Sequence, residues 1–413
     1  MKIAMFGTFD IANYGDILFP LVAEKMLSDR VPDLELRRYS YRPKTADSWH
    51  YDVRTIGQFQ EDIPDTDLIL IGGGHLVHSN RFMAASYGPT EPTIPHPYGF
   101  WWLPAVAGRM AGVPVALHGV SVEDYQRWSE PLFRSFAESL DYANARDMRS
   151  MARLKELGAH EATVVPDSIF TVDRLVTRGQ RTASYRRFLN DHSLTEPYII
   201  VQPSRGLRHD TGAITKLLHR ATALGWSILE LPIFQEKQNR TGSYPHVADV
   251  ISAKYDPSPL LLTEIIANAH GSIGISLHLS IVSSVFGVPV YRTRYEDDSK
   301  YILLREIGSG YQFLDTRPEL TEPIAPDPAI SRFQRGLDAH YDRLVELAQV
   351  RRTGLRKARG FDMLAAVPEA LRHRQHFGER LADERLRLRR ARNFAAAWAS
   401  VPVGGLLSKF RLR

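Results

Sequence analysis

The chain contains no cysteine, which excludes disulfides, thiolate nucleophiles, iron–sulfur clusters and cysteine-based zinc sites. It contains no run of 18 or more apolar residues, so no segment reads as a membrane-spanning helix. The opening Met1-Lys2-Ile3-Ala4-Met5-Phe6-Gly7 holds too short an apolar run for a secretory leader and reads as a buried strand. A cytoplasmic enzyme is the expectation. No repeat of fixed period is visible. What is present is ordinary for a folded protein: 44% apolar and 24% charged residues exclude collagen-like, mucin-like and wholly disordered chains. A length of 413 residues exceeds what one core usually holds, so two domains are expected.

The net charge of +5 conceals an asymmetry. Residues 351–413 carry 16 Lys+Arg against 5 Asp+Glu, a balance of +11, which leaves −6 for residues 1–350. A mildly acidic body therefore bears a strongly basic tail. Within the tail, 372–392 is Arg-rich with Leu381, Leu386 and Leu388 between the charges, and Phe394, Trp398 and Phe410 follow. This mixture fits either an amphipathic element on an anionic membrane face or a solvated helix. No nucleic-acid-binding motif accompanies the charge, so nucleic acid is not an expected partner.

Short runs apolar on both faces alternate with helix-spaced segments. Residues 3–6, 67–71, 114–119 and 162–166 read as strands and 17–27 as a helix. Such strands, separated by helices, form a parallel sheet covered on both faces. Around 171–195 the pattern weakens into a polar, Arg-rich linker. It restarts with strands at 198–202, 227–231, 271–275 and 288–291 and helices at 215–224, 260–269 and 277–286. The expected fold is α/β, with two Rossmann-like doubly wound domains over 1–180 and 190–330. A helical, Arg-rich tail over 331–413 follows. The functional cleft then lies between the domains, at the carboxyl ends of the strands.

Four segments could carry chemistry. The first is Gly7-Thr8-Phe9-Asp10-Ile11-Ala12-Asn13-Tyr14-Gly15-Asp16, whose glycines let backbone amides approach an anion at a helix N-terminus. Asn13 and Asp16 could equally cap that helix. The second, Ile71-Gly72-Gly73-Gly74-His75-Leu76, reads as a strand stopped by glycines, which permit a sharp turn and close approach of a ligand or the other domain. His75 and His78 form an HxxH pair with no third ligand nearby, and no metal is expected. The third is Ala145-Arg146-Asp147-Met148-Arg149-Ser150, where Arg146 could present its planar fork to a carboxylate or phosphate, or pair with Asp147. Asp167, in the turn Pro166-Asp167-Ser168, is a cleft residue or a turn former. The fourth is Ser276-Leu277-His278-Leu279-Ser280-Ile281, with Phe286-Gly287-Val288-Pro289 after it. His278 opens a helix directly after a strand, where an imidazole can exchange protons near neutral pH or serve as a cap.

Together and in this order, these segments resemble the polysaccharide pyruvyl transferase family. Its GNxGD-type loop is matched by Ala12-Asn13-Tyr14-Gly15-Asp16, its GGG by Gly72-Gly73-Gly74 and its RDxxS by Arg146-Asp147-Met148-Arg149-Ser150. Its PD turn is matched by Pro166-Asp167, and its RLH segment and GxP by Leu277-His278 and Gly287-Val288-Pro289. The resemblance covers roughly residues 1–310. It implies a glycosyltransferase-B-like pair of Rossmann-type domains. It also implies transfer of a pyruvyl group from phosphoenolpyruvate to two hydroxyls of a sugar, as a cyclic ketal with release of phosphate, and no separate cofactor. The family's donor-site arginine and catalytic histidine fall on Arg146 and His278, and Arg205 matches a third family position. With Asn13, Gly15, Asp16, Gly73, Gly74 and Ser276 these make up the expected donor site.

At the RLH position the arginine is replaced by Ser276. Arg292, Arg294 or Lys300 are the cations that could substitute in space. The replacement keeps open a nucleotide-sugar-dependent glycosyltransferase of the same fold, and a non-catalytic glycan-binding member. The insertion over 80–102 holds Tyr87, Tyr98, Phe100, Trp101 and Trp102. Tyr98, Trp101 and Trp102 are the expected acceptor residues, by stacking on sugar faces; a lid packed on its own domain is the other reading. The expected partner is a glycan or lipid-linked oligosaccharide, reached from the cytoplasm with the tail on the inner membrane face. All of this turns on one arrangement: Arg146 and His278 must meet across a shared gap.

Overall fold

The computed structural model describes residues 1–79, 96–125, 129–234, 249–256, 258–293, 304, 311–316 and 318–349. Two parallel sheets form the frame. The first consists of β1 (Lys2–Phe6), β2 (Glu35–Ser40), β3 (Arg54–Thr55), β4 (Leu68–Val77), β5 (Val115–Val122), β6 (Asn144–Ala145) and β7 (Thr163–Val164). Their order is β3-β2-β1-β4-β5-β6-β7, and every pairing is parallel. The second consists of β8 (Tyr198–Val201), β9 (Ser227–Glu230), β10 (Val250–Ser252), β11 (Gly271–Ile273), β12 (Val290–Arg292) and β13 (Tyr311–Phe313), in the order β10-β9-β8-β11-β12-β13. It too is wholly parallel.

Both sheets reverse strand order once, between β1 and β4 and between β8 and β11. In open α/β sheets the crevice outside the carboxyl ends of those central strands is where ligands bind. The sequence leaving β1 is the Gly7–Asp16 loop, and that leaving β11 is Gly274-Ile275-Ser276-Leu277-His278. The GNxGD loop and the RLH segment thus lie at the two switch points, while RDxxS and the PD turn follow β6 and β7.

Helices cover the sheets: α1 (Tyr14–Ser28), α2 (Tyr98–Ala111), α3 (Glu130–Ala137), α4 (Met148–Glu156), α5 (Ala183–Asp191), α6 (Thr211–Ala223), α7 (Pro259–Asn268), α8 (Leu277–Val285) and α9 (Pro328–Gln349). Asn13, in extended backbone, caps α1 by accepting from the Gly15 amide at 3.3 Å. One cluster of buried apolar side chains runs from Ile3 and Met5 through Ile17, Leu18 and Phe19 of α1 to Leu262 of α7 and Ile281 of α8. The Tyr14 hydroxyl meets the Thr263 hydroxyl at 2.7 Å, and the Tyr14 amide donates to the Ile233 carbonyl at 3.1 Å. The first turn of α1 is therefore fixed against the second sheet's layer.

Two features differ from the reading of the sequence. The glycines do not stop the strand: β4 runs through Gly72, Gly73 and Gly74 to Val77, with a break in its register to β5 after Gly74. Gly73 and Gly74 both hold φ near +86°, which lets an irregular strand persist where other residues would end it. Second, the helical segment after 330 begins as core. Ile330, Phe333, Leu337, Tyr341 and Leu344 of α9 are buried, Phe333 packs on Phe170, and Arg30 pairs with Asp338 and Asp342. The chain thus returns to the first sheet's layer. The basic segment 351–413 lies outside the described residues.

Candidate active site

The RDxxS segment is a helix-capping device that frees its arginine. Asp147 caps α4, accepting from the Ser150 amide at 2.8 Å and from the Ser150 hydroxyl at 2.9 Å. The Ser150 hydroxyl oxygen in turn accepts from the Val122 amide at 3.0 Å, tying α4 to the end of β5. With Asp147 so occupied, Arg146 is not needed at the cap. Its guanidinium is buried and lies 3.7 Å from Asp167 Oδ2.

Asp167 carries the turn after β7. Its Oδ1 accepts from the Ile169 amide at 3.1 Å, capping the 3₁₀ segment Ser168–Arg174. Its Oδ2 faces the Arg146 guanidinium from one side and the His278 imidazole, with Nε2 also 3.7 Å away, from the other. The carboxyl is fully buried, which alone would raise its pKa. His278 and Arg146 outweigh burial and hold it below the usual carboxylate range. It is an anion that organises the arginine of one layer and the imidazole of the other.

His278 reaches this position through a braced loop. Ser276 caps α8 by accepting from the Leu279 amide. Gln202, buried at the end of β8, accepts from the amides of Ile275 at 3.0 Å and Ser276 at 2.9 Å. On the other side the imidazole rests against α1. A Cβ on Gly15 would stand 1.7 Å from His278 Nδ1, so only glycine fits there. The Phe19 ring meets the imidazole edge-on at 5.2 Å, and a Cβ on Gly73 would stand 2.5 Å from that Phe19 ring. Gly15 and Gly73 thus allow close packing around His278, whereas a Cβ on Gly72 would meet His118 at 2.2 Å.

Asp16 completes the cluster. A Cβ on Gly74 would lie 3.6 Å from Asp16 Oδ1. Burial lifts the Asp16 carboxyl to about 6, against the lowering pull of His278, the Thr8 hydroxyl and Arg146. One buried carboxyl, Asp167, is thus held low while another, Asp16, is lifted to about 6, and both interact with the same imidazole. Arg146 Nε, Asp167 Oδ2, Ser168 Oγ and His278 Nε2 are all buried without a hydrogen-bond partner, the pattern of groups that converge on a polar ligand.

The remaining candidates sort differently. Asn13 acts as cap and forms a bridge to Phe234. Arg205 opens the 3₁₀ turn Arg205–His209 after β8, and its side chain lies outside the described residues. Arg292 is buried at the end of β12, while Arg294 and Lys300 lie outside the described residues. Trp101 corrects the stacking expectation: it is 0% exposed and packs against Phe133 and Phe136, so no ring face is left for a sugar. Tyr98 is buried beside it, and Trp102 donates to the Ser135 hydroxyl at 2.9 Å. Trp101 and Tyr98 are turned inward because α2 must cover the sheet. Residues 80–95, with Tyr87, lie outside the described residues. The brace by Gln202 was not legible in the sequence, since a lone glutamine after a strand carries no pattern. Among the described residues no group of three or more His, Asp or Glu could hold a metal ion, and no helix is long and apolar enough to cross a membrane.

The profile of the polysaccharide pyruvyl transferase family matches residues 13–297, a span that begins at the α1 cap and ends beyond β12. The chain belongs to this family. No curated protein is matched in sequence. Among solved structures, UDP-GlcNAc 2-epimerase from Neisseria meningitidis bound to UDP-GlcNAc is similar, with TM-score 0.50 and 10% identity over 85% of this chain and 95% of that one. UDP-GlcNAc 2-epimerase from Methanocaldococcus jannaschii gives TM-score 0.48 and 10% identity over 89% of this chain and 98% of that one. At such identity the first likeness shows a shared glycosyltransferase-B-like fold. Arg146, Asp167, His278 and Asp16, all within the matched span, are brought together by the tertiary structure.

Proposed function

We propose that this protein transfers a pyruvyl group from phosphoenolpyruvate to two hydroxyls of a sugar in a surface polysaccharide or its lipid-linked precursor. The product is a cyclic ketal, and phosphate is released. The reading is supported by family membership and carried by one observation: Arg146 and His278, from opposite layers, converge at 3.7 Å on the same Asp167 oxygen. A donor with a carboxylate and a phosphate calls for a guanidinium fork. Protonating its methylene carbon calls for an acid that holds its proton near neutrality, the property that burial gives Asp16. Arg146 would hold the donor anion, with Asp167 keeping the guanidinium and imidazole in register. His278 and Asp16 would supply the proton that turns the methylene into a methyl group. The Arg146 Nε and His278 Nε2 groups left without partners are donors such an anion would satisfy.

The test is phosphate release from phosphoenolpyruvate in the presence of the native glycan, with mass spectrometry for a pyruvate-sized gain on the product. A second reading, a nucleotide-sugar-dependent transferase, is favoured by Ser276, which caps α8 where the family has a cation. A thermal shift with nucleotide sugars and none with phosphoenolpyruvate would select it.

A further inference from the structure

Past the glycines, β4 continues far enough to give the HxxH pair a partner. His75 Nε2 lies 2.5 Å from Oε1 of Glu123, the residue after β5. The His78 ring stacks on His75 at 5.4 Å and 17°. Because β4 and β5 are parallel neighbours, the pair sits at the carboxyl ends of both, the sheet edge where the cleft opens. Its chain neighbour is Gly74, the residue that approaches Asp16.

Two facts about the pair point to hydroxyl chemistry. An ionised carboxylate only accepts hydrogen bonds, so Glu123 holds a hydrogen on Nε2, and the neutral ring then carries its lone pair on Nδ1. That Nδ1 is buried without a hydrogen-bond partner, as are Arg146 Nε, Asp167 Oδ2 and His278 Nε2. A buried polar group left in this way is destabilising until a donor meets it.

We propose that His75, oriented by Glu123, is the acceptor-side base: its Nδ1 takes the proton of a sugar hydroxyl. This rests on the pyruvyl transfer reading. As the hydroxyl oxygen bonds to C2 of the enolpyruvyl group, its proton passes to Nδ1, and C3 takes a proton from the donor-side acid. The C2–O bond to phosphate then breaks with its electron pair on phosphate, which takes the proton from His75. The second hydroxyl closes the ring, and its proton restores the donor-side acid. Glu123 is a positioning residue: it sets the tautomer and stabilises the transient imidazolium.

The test has two arms, both on the full chain. Imidazole-labelled protein at pH 8, with His75 assigned through His75→Gln, should show the neutral Nε2–H tautomer; a proton on Nδ1 overturns the proposal. In cells whose only copy is His75→Gln, pyruvate on the native glycan should fall about 100-fold or more, while the purified variant keeps the wild-type thermal shift with phosphoenolpyruvate. Retained pyruvylation overturns the proposal. If His75→Gln fails to melt cooperatively, Glu123→Gln takes its place, with a mixed tautomer and a loss of about tenfold or more expected; wild-type values in both readouts overturn it. Wild-type protein that neither shifts with phosphoenolpyruvate nor pyruvylates the glycan removes the function reading itself, whatever the state of His75.

Discussion

Asp16→Asn separates what the cleft needs for chemistry from what it costs in stability. The carboxyl is lifted from 3.8 to about 6, chiefly by burial. An unfolded Asp loses its proton near 3.8, whereas the folded one keeps it to about 6. Between those values the native state holds the extra proton, so stability falls as pH rises from 3.8 to 6 and then levels off. At 1.36 kcal/mol per pH unit of displacement, the ceiling is about 3 kcal/mol. Asp16 keeps some surface, so about 1–3 kcal/mol is the expected range. The neutral amide removes this cost. Asp16→Asn should therefore match wild type near pH 4 and exceed it by that amount at pH 8, while turnover falls by about 10²–10⁴. Urea unfolding of both proteins from pH 4 to 8 measures the difference, and pH effects of histidines common to both cancel. A difference that is flat with pH, or that reverses, would refute the idea that burial holds this carboxyl near neutrality.

Gly15→Ala should abolish turnover with only a modest change in melting temperature, because the new Cβ falls 1.7 Å from His278 Nδ1 and the imidazole is the part that can move; wild-type activity would show that His278 is not held there. Arg146→Ala should raise the donor KM and remove the thermal shift with phosphoenolpyruvate, and an unchanged shift would place the anion elsewhere. Trp101→Ala should cost about 3–5 kcal/mol in urea unfolding rather than acting on the acceptor KM; a purely kinetic defect would return it to the sugar site. His118 and His340, hydrogen-bonded at 2.9 Å and fully buried, are both held neutral, His118 down at about 4, with burial as the main cause. Unfolded histidine gains a proton near 6.5, so wild type should lose stability as pH falls from 6.5 toward 4. His340→Gln should flatten that limb in the same unfolding experiment, and an unchanged limb would mean the pair is not its source.

The strands were legible because parallel strands buried on both faces are continuous apolar runs, as in Leu68-Ile69-Leu70-Ile71 and Tyr198-Ile199-Ile200-Val201. The start of α1 was legible because its cap was spelled out at Asn13, whereas the caps at Asp147 and Ser276 emerged only from the structure. The glycines misled at β4, because sequence tells that φ is free and not what value it takes. The aromatic residues of α2 misled because stacking on a sugar and packing in a core use the same ring, and only burial distinguishes them. Asp167 read as a cleft residue or a turn former and is a turn former through Oδ1; that its other oxygen gathers a guanidinium and an imidazole depends on residues 21 positions before it and 111 after it.

By itself the chain's order of residues determined two parallel α/β layers and put the GNxGD, RDxxS, PD and RLH segments just past strands' carboxyl ends, since local apolar periodicity and capping need only near neighbours. Only the three-dimensional packing decided that Arg146, Asp167, His278 and Asp16 form one electrostatic unit. Charge coupling depends on separation in space and on excluded water, and neither quantity is written along the chain.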